Sequence, residues 1–173
     1  SAEDAGKTAM YRAEAQRAEA RAHASLGDYL ASLEMRLSLR PLGEEEIPRA
    51  AQLCAKTNQF NLTTRRYSET DLRAMMQDER HRAWIAGLSD RYGDYGRIAL
   101  VIAELERGGT SASFDTFLMS CRAMGRGVES ALLAWIEELL AAEGVTRLTG
   151  QYLPTAKNGP VKDFWRDMGY AKT

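Results

Sequence analysis

The segment that most constrains the fold is SCRAMGRGVES, residues 120–130. It follows the apolar run ASFDTFLM and precedes a run in which apolar residues recur at helical spacing. Two glycines and two arginines therefore lie where a predicted strand is followed by a predicted helix. The free N–H groups of a first helical turn, together with the helix dipole, favour an anion at such a junction. On spacing alone, the segment is either a phosphate site or a plain turn.

The overall charge does not favour a polyanionic partner. The 173 residues are 45% hydrophobic and carry a net charge of -1, as in an ordinary soluble protein. We therefore expect no nucleic-acid partner, and any anion site must be local. No run approaches the ~20 apolar residues of a membrane span and no signal peptide is visible, so we expect a cytoplasmic protein with no membrane partner. The two histidines and two cysteines lack metal-ligand spacing, so we predict no metal site.

The order of predicted elements is typical of an α+β fold. Residues 2–37 are rich in Ala, Arg and Glu and predict a long, mostly polar helix. After Pro41 we predict two helices, three strands near Trp84, Leu100 and Phe117, a helix over 127–142, a strand near 145–153 and a helix over 161–168. The turns between the three strands predict an antiparallel meander. The apolar residues expected on the buried face of the 127–142 helix are Val128, Leu132, Trp135, Ile136, Leu139 and Leu140.

Two motifs resemble those of the GNAT acyltransferases. Arg122-x-x-Gly125-x-Gly127 is similar to the family's pyrophosphate-binding motif, and NGPVKDFWRDMGY (158–170) is similar to a later block. The resemblance covers residues 40–173 and implies a GNAT-like mixed, mostly antiparallel sheet flanked by helices. It implies that the cofactor is coenzyme A or the phosphopantetheine of a carrier protein. The implied cofactor contacts are Arg122, Gly125, Arg126, Gly127, Val128 and Asn158, with an Asx-type helix cap as the alternative role of Asn158.

A narrower resemblance is to the FkbH-like proteins of bacterial polyketide biosynthesis. KTNQFNLTTRRY, DRYGDYG, DTFLMSCRAMGRGVE and PTAKNGPVKDFW look like the C-terminal part of these proteins. The resemblance implies an acyltransferase domain, 40–173, that helps to load a glyceryl unit from 1,3-bisphosphoglycerate onto an acyl carrier protein. It implies that residues 1–39 connect this domain to an upstream phosphatase-like domain of the same polypeptide. GNAT folds usually add strands after the helix that ends at Gly169, and we expect those C-terminal strands to be absent here.

Cys121 and Asp115 are the candidate catalytic residues. Beside a helix N-terminus and two arginines, Cys121 can accept an acyl group as a thioester, although it can equally be a small buried residue. Strict alternation places Asp115, Phe117, Met119 and Cys121 on one face of the strand, where the carboxylate could act as a base. The alternative for Asp115 is a structural hydrogen bond.

Trp165 stands where many GNAT enzymes carry a tyrosine that protonates the leaving thiolate. Indole has no proton to give at neutral pH, so the substitution favours thioester exchange over amine acetylation. Trp165 can instead be a core aromatic residue. A polar string between two predicted helices supplies further candidates for binding a small polyol acyl group, with turn chemistry as the alternative. The predicted substrate-binding residues are Asn58, Gln59, Asn61, Thr63, Thr64, Arg65 and Trp165.

The sequence is compatible with three functions. The first is the GNAT-like domain that transfers glyceryl. The second is a non-catalytic module that binds the carrier protein or its pantetheine while the upstream domain does the chemistry, and the tryptophan at position 165 supports it. The third is an acetyl-CoA-dependent N-acetyltransferase.

Overall fold

The computed structural model describes residues 2–173. Contacts divide the chain into two compact units: one holds the residues up to Ser38 together with Gly87–Gly96, and the other holds Leu39–Ala86 together with Arg97–Thr173. This division does not test whether residues 1–39 connect to an upstream domain, which stays a prediction.

The first unit contains two helices where the sequence predicted one. α1 spans Ala2–Ala22 and α2 spans Leu26–Ser32. Ser25 is the N-cap of α2, and its side chain accepts a hydrogen bond from the backbone N–H of Asp28 at 3.2 Å. The helix predicted over 2–37 therefore forms over Ala2–Ala22 and Leu26–Ser32, and the prediction was wrong about the break between these helices and about the residues after Ser32.

The same prediction missed a strand. β1 spans Arg36–Pro41, and Glu34 before it has a φ of 52°, which is incompatible with a continuing right-handed helix. In RLSLRP, apolar and polar residues alternate with a period of two, and Leu37 and Leu39 are the half-buried positions. The sequence prediction missed β1 because these six residues follow a much longer run of the helix formers Ala, Arg and Glu.

A buried ion pair stabilises the first unit. Arg17 on α1 donates from Nε to Asp90 Oδ2 at 2.8 Å and from Nη2 to Asp90 Oδ1 at 2.9 Å. The Arg17 and Asp90 side chains are only 5% and 0% exposed. Asp90 also accepts hydrogen bonds from the backbone N–H groups of Tyr92 and Gly93. Arg17 Nη1 also donates to Glu14 Oε1 at 2.7 Å. Removal of Arg17 would leave the Asp90 charge buried without a cation, and removal of Asp90 would leave Arg17 buried with Glu14 as its remaining carboxylate partner.

The sheet has five strands in the order β1-β2-β3-β4-β5. After β1 come two helices and the meander, namely α3 (Ile47–Lys56), α4 (Glu69–Gln77), β2 (His81–Asp90), β3 (Gly93–Leu105) and β4 (Ser111–Met119). The remaining elements are α5 (Val128–Ala142), β5 (Arg147–Thr149) and α6 (Phe164–Asp167). β4 pairs antiparallel with β3 and parallel with β5, so the sheet is mixed but mostly antiparallel. The predicted fold class and the meander are confirmed.

Three details differ from the sequence prediction. β5 covers Arg147–Thr149 where a strand near 145–153 was predicted, and it pairs with β4 over only three residues. In place of a helix over 161–168 there is a 3-10 turn, Gly159–Val161, followed by the four-residue α6. α5 forms as predicted. Two residues expected on its buried face, Trp135 and Leu139, are instead 38% and 37% exposed, so fewer of its apolar side chains face the core than their spacing indicates.

An aromatic cluster around Trp165 completes the core of the second unit. The indole stacks on Phe114 with ring centres 5.2 Å apart, and Nε1 donates to the carbonyl of Gln151 at 3.1 Å. Phe117 packs edge-on to the same ring at 6.0 Å. A Cβ at Gly150 would overlap the six-membered ring of this indole. Because Trp165 is held from several sides, it cannot move away from a larger residue at position 150.

We predict that Gly150→Ala destabilises the protein by about 1–3 kcal/mol, because the added methyl group overpacks the core against Trp165. The matched control is Gly27→Ala, since a Cβ at Gly27 meets nothing within 4 Å. Because Gly27 lies in the first turn of α2, the control should leave the free energy of unfolding unchanged or raise it by up to about 1 kcal/mol. Chemical denaturation of both variants measures the difference. Equal stabilities of the two variants would contradict the tight packing of Trp165 on Gly150.

We also predict that the Arg17–Asp90 pair makes the stability of the protein depend on acid pH. Burial acts to raise the pKa of Asp90, but the hydrogen bonds from Arg17 and from the N–H of Tyr92 outweigh it, so the pKa lies below its ordinary value. The stabilisation is therefore present above about pH 4, the range of an unfolded Asp, and is lost as the pH falls through the lowered pKa.

The variant that tests this ion pair is Asp90→Asn. It should cost about 3 kcal/mol at neutral pH because Arg17 stays buried and loses its bidentate partner, keeping only the half-exposed Glu14, and it should lose part of the acid dependence. The control Asp94→Asn alters an exposed residue of the same hairpin. Thermal unfolding from pH 7 to pH 3 measures both effects. If the unfolding temperature of Asp90→Asn fell with pH as steeply as that of the wild type, the ion pair would not contribute to the pH dependence of stability.

Candidate functional site

The junction between β4 and α5 has the geometry that its glycines predict. A 3-10 turn covers Cys121–Ala123, and Gly125 and Gly127 both have a φ of 76°. Glycine adopts this left-handed conformation without the strain that a Cβ brings. Gly127 is the N-cap of α5, and no side chain of the described residues caps it. Backbone N–H groups of the first turn are therefore not used by a capping side chain.

An acidic side chain lies in this same first turn. Glu129 is the second residue of α5, and its Oε2 is buried without a hydrogen bond from any described residue. A carboxylate at a helix N-terminus already interacts with the positive end of the helix dipole, and its negative charge repels a second anion there. The helix end alone is thus a weaker phosphate site than the sequence indicates. The cofactor contacts predicted for Gly125, Arg126, Gly127 and Val128 stay predictions.

A cationic cavity of about 650 Å³ lies beside the junction. Its positive charges come from Arg49 and Lys56 on α3, from Arg122, and from Lys157 in the loop before α6. The other lining residues are Gln52, Leu53, Thr57, Asn58, Gln59, Phe60, Ser120, Cys121 and Ala156. The lining within residues 2–173 contains no Asp, Glu or His. In a chain of net charge -1, the cavity concentrates positive charge and favours an anionic ligand.

Two arginines of the cationic cavity repel each other. The pKa of the Arg49 guanidinium is lowered from its ordinary value, mainly by burial and also by the positive charge of Arg122. Arg49 is anchored because its Nη2 donates to the carbonyl of Arg97 at 2.9 Å. An anion bound near both guanidinium groups would compensate this repulsion.

Cys121 belongs to the wall of the cationic cavity. β4 ends at Met119, and Cys121 begins the 3-10 turn that follows, where it is exposed. The predicted alternation along the strand therefore does not extend to Cys121, because the backbone leaves the extended conformation before this residue. Its chain neighbour Arg122 lines the same cavity. A thiol that solvent and ligands can reach next to a cation can act as a nucleophile.

Asp115 lies in a different place from Cys121. It lines a separate cavity of about 450 Å³ together with Arg65 and Gln151, at the end of β4 that pairs with β5. Its carboxylate accepts hydrogen bonds from Arg65 Nη1 at 2.7 Å and from the Tyr67 hydroxyl at 2.9 Å. The structure does not bring the two predicted catalytic residues together, and the hydrogen bonds of Asp115 fit the structural alternative. The pKa of Tyr67 is raised, mainly by burial and then by this hydrogen bond.

A short segment, Phe60–Leu62 (the inserted segment), pairs with the part of β4 beyond β5 through one isolated antiparallel bridge, Asn61 to Leu118. The N–H of Leu62 donates to the carbonyl of Phe117 at 3.1 Å, and the N–H of Met119 donates to the carbonyl of Phe60 at 2.9 Å. On its other side, the carbonyl of Leu62 accepts the N–H of Leu153 at 2.8 Å. The sequence prediction missed this pairing. Its only signal is the alternation of Phe60, Asn61 and Leu62, three residues that are too few for a strand prediction.

Asn158 holds the inserted segment in place. It is completely buried, and its Nδ2 donates to the carbonyls of Asn61 and Leu153, both at 2.9 Å. Its Oδ1 accepts the N–H of Thr155 at 2.8 Å and the hydroxyl of Tyr152 at 3.1 Å. The amide has two donors and two acceptor sites, and all are used. Asn158 is the N-cap residue of the 3-10 turn Gly159–Val161, but its side chain makes no capping hydrogen bond there. The predicted pantetheine contact would require one of the four bonds to break.

The predicted substrate-binding residues divide into four groups. Asn58 and Gln59 line the cationic cavity, whereas Arg65 lines the cavity of Asp115. Three others have inward hydrogen bonds: Asn61 Oδ1 accepts the N–H of Thr64 at 2.9 Å, and Thr63 Oγ1 donates to the carbonyl of Asp115 at 2.7 Å. Trp165 is the core residue described above. Their predicted roles in substrate binding stay predictions, and only Asn58 and Gln59 lie beside Cys121.

Three cationic residues of the site were not predicted: Arg49, Lys56 and Lys157. Arg49 and Lys56 are seven residues apart and so lie on the same side of α3. This spacing is a possible signal, but a charged helical face is usually just solvated. Lys157 reaches the cavity only through the tertiary fold.

Within residues 2–173, no group of three or more His, Cys, Asp or Glu side chains could hold a metal ion. None of the helices in this range combines the length and apolar character needed to cross a membrane.

No protein-family model and no curated protein matches this chain. Solved structures do match it. The ribosomal-protein-S18-alanine N-acetyltransferase from Escherichia coli is 17% identical, with a TM-score of 0.59 over 80% of this chain and 79% of that one. The aminoglycoside 6'-N-acetyltransferase from Acinetobacter baumannii is 14% identical, with a TM-score of 0.59 over 80% and 92%.

A further aminoglycoside acetyltransferase, solved with a bisubstrate analogue of coenzyme A, gives a TM-score of 0.59 at 14% identity over 80% of this chain and 92% of that one. The chain has the acyltransferase fold of these enzymes. The predicted GNAT-like fold is thereby confirmed. The narrower FkbH-like resemblance stays a prediction.

Proposed function

We propose that this domain is an acyltransferase that passes a glyceryl unit from 1,3-bisphosphoglycerate, through Cys121, to the phosphopantetheine thiol of an acyl carrier protein. The observation that carries the proposal is the position of Cys121 in the wall of the cationic cavity. The acyltransferase fold and the FkbH-like segments of the sequence support it.

The cationic cavity suits ligands that carry phosphate. Arg49, Lys56, Arg122 and Lys157 supply positive charge from three segments of the chain. Arginine binds phosphate through two parallel N–H bonds, and lysine acts as a point charge. The phosphate groups of a bisphosphorylated acid, of phosphopantetheine or of coenzyme A all fit this chemistry. The residues present therefore fit the class of cofactor that the fold implies.

The adjacency of Cys121 and Arg122 favours an acyl phosphate as the donor. In an acyl phosphate, a single oxygen separates the reactive carbonyl carbon from phosphorus. In an acylated phosphopantetheine, the whole arm with its two amides separates the thioester from the phosphate. A nucleophile directly beside a phosphate-binding cation therefore matches the acyl phosphate better.

The transfer then has two steps at the acyl carbon, and both carry a 3-phosphoglyceryl group. The 3-phosphate leaves in a separate hydrolysis, in which water attacks the phosphorus and inorganic phosphate is released; we assign this hydrolysis to the proposed upstream phosphatase-like domain. The Cys121 thiol loses its proton to solvent and its sulfur attacks the carbonyl carbon, so that an S–C bond forms, the C–O bond to phosphate breaks and the cations hold the leaving phosphate. The pantetheine thiolate next attacks the same carbon, forms its own S–C bond and releases the Cys121 thiolate. Neither step needs a general base in the cavity lining. Acetylation of an ammonium group would need one, which makes the amine acetyltransferase alternative the weaker proposal.

The non-catalytic docking module is the second candidate. Two observations favour it. The indole N–H of Trp165 already donates to the carbonyl of Gln151, and the Asp115 carboxylate already accepts hydrogen bonds from neighbouring side chains, so both groups are engaged in structural contacts. On this account the cationic cavity binds the carrier's phosphopantetheine, and the proposed upstream phosphatase-like domain does the chemistry. The carrier protein and the upstream domain are partners that we propose on the sequence resemblance.

The test is intact-protein mass spectrometry of the chain, joined to its upstream domain where one is present, with 1,3-bisphosphoglycerate and holo carrier protein. We predict an acyl adduct on the wild-type protein and on the carrier. It should have the mass of 3-phosphoglyceryl for this domain alone and of glyceryl when the upstream phosphatase-like domain is present. Cys121→Ala should abolish both adducts. The matched control is Cys54→Ala, because Cys54 is the other cysteine and is buried, so this variant should keep both adducts.

Each other outcome has a definite meaning. Normal loading of the carrier by Cys121→Ala would remove Cys121 from the chemistry and make the docking module the better account. Acetylation of an amine from acetyl-CoA, with no glyceryl adduct on either cysteine variant or on the wild type, would establish the third function instead.

A further inference from the structure

We infer that Glu129 is a specificity-determining residue: its carboxylate at the N-terminus of α5 repels a second phosphate, so the site accepts the single phosphodiester of a carrier-bound pantetheine arm and disfavours the diphosphate of coenzyme A. The inference rests on the proposed function, because it takes the carrier-bound arm as the ligand. It adds to that function a choice between two ligands that share the same arm.

The two ligands differ mainly in charge. The arm of a carrier protein is joined to the protein through one phosphodiester, which carries a single negative charge. Coenzyme A has a diphosphate and a further phosphate on its ribose, which together carry about four negative charges near neutral pH. A residue that repels the additional phosphate therefore distinguishes the two ligands without contacting the arm, since specificity can be built from repulsion of the wrong ligand.

The junction between β4 and α5 has the donors that a second phosphate would use. Arg122 lines the cationic cavity, and Gly127, the N-cap of α5, follows it closely in the chain. Because no described side chain caps Gly127, N–H groups of the first helical turn are not used by a capping side chain. A diphosphate whose first phosphate is bound by the cations of the cavity could place its second phosphate on these N–H groups.

Glu129 places a negative charge at this position. It is the second residue of α5, and the Cα–Cβ bond of a helical residue tilts toward the helix N-terminus. Its Oε2 is buried and accepts no hydrogen bond from any residue within 2–173. Water screens a buried charge much less than an exposed one, so the carboxylate repels a neighbouring phosphate strongly. The second phosphate therefore gains little from the helix end, whereas the first keeps its contacts with the cationic cavity.

This specificity differs from the one that the Arg122-x-x-Gly125-x-Gly127 pattern implies. The pattern resembles a pyrophosphate-binding motif and so predicts two phosphates at the junction. Both glycines have a φ of 76°, so no Cβ blocks the approach of a ligand to the backbone. The backbone is therefore compatible with a diphosphate, and the charge of Glu129 is the feature that opposes it.

The inference predicts a ligand-dependent effect of Glu129→Gln, which removes the charge and keeps the size of the side chain. The affinity for coenzyme A should rise about tenfold. Dephospho-coenzyme A, which keeps the diphosphate and lacks the ribose phosphate, should gain by a similar factor. The methyl phosphodiester of phosphopantetheine, which has the single charge of a carrier-bound arm, should change by less than about threefold. Added salt should reduce the gain, because ions screen the repulsion.

The experiment is calorimetric titration of these three ligands into the wild-type protein, Glu129→Gln and Glu138→Gln at low and high salt. Glu138 is the matched control, because it is an exposed glutamate near the other end of the same helix. Its variant should bind all three ligands as the wild type does. Glu129→Ala is the second variant if Glu129→Gln does not fold, and it should show the same gain for the two diphosphates.

The outcomes separate this inference from the proposed function. A gain for both diphosphates and not for the methyl phosphodiester supports the inference. An equal change for all three ligands, which a structural role of Glu129 would give, overturns it, as does an unchanged or weaker affinity for coenzyme A. A gain for coenzyme A alone also overturns it, because the repelled group would then be the ribose phosphate.

The proposed function fails on different results. If the selective gain is found but mass spectrometry shows no acyl adduct on the wild-type protein, the acyl transfer is overturned and the inference stands. If neither the wild type nor any variant binds the methyl phosphodiester, the carrier-bound arm is not the ligand and both are overturned.

Discussion

The carboxamide of Asn158 is the contact on which the rest of the site depends. Its four hydrogen bonds join Asn61, Leu153, Thr155 and Tyr152, which come from two segments far apart in the chain. Because the amide is completely buried, water cannot replace a lost partner. Loss of any one of these bonds would leave a polar atom that is neither hydrogen-bonded nor solvated, which costs its full desolvation free energy. One side chain thus fixes the inserted segment against β4. It also fixes the loop that carries Lys157 into the wall of the cationic cavity.

Charge distribution, rather than total charge, gives the site its chemical character. The cationic cavity draws positive charge from α3, from the β4–α5 junction and from the loop before α6, while its described lining excludes carboxylates. Carboxylates lie elsewhere: Asp115 is bound by Arg65 and Tyr67 in a second cavity. This separation leaves Cys121 near cations and away from the acid that the sequence pairs with it. A thiol in such surroundings suits reactions of phosphorylated acyl groups better than reactions that need a general base.

The sequence correctly predicted the elements that depend on residues close together in the chain. The strand, the two glycines and the helix around Gly127 follow from periodicity and from the backbone freedom of glycine, and the structure has them where the sequence indicates. β1 was missed because six alternating residues follow a much longer run of helix formers. The face shared by Asp115 and Cys121 was wrong for two reasons. Asp115 is the extra residue of a bulge where β4 pairs with β3, which breaks the alternation inside the strand, and β4 ends at Met119, before Cys121. The Phe60–β4 pairing and the convergence of Lys157 with Arg49 depend on contacts between distant segments, which spacing along the chain does not encode.

The most direct test of the central claim is calorimetric titration of glycerate 3-phosphate and of unphosphorylated glycerate into the wild-type protein and into the double variant Arg122→Gln, Lys157→Gln. The control is Arg107→Gln, an exposed arginine outside the lining of the cavity. The account predicts that the phosphorylated acid binds at least about tenfold more tightly than glycerate. Glycerate lacks the phosphate and so loses about one charge-assisted contact with the cavity. It also predicts that the double variant, but not the control, loses this preference. Equal affinities for the two acids, or a preference that survives in the double variant, would contradict a phosphate-binding role for the cationic cavity.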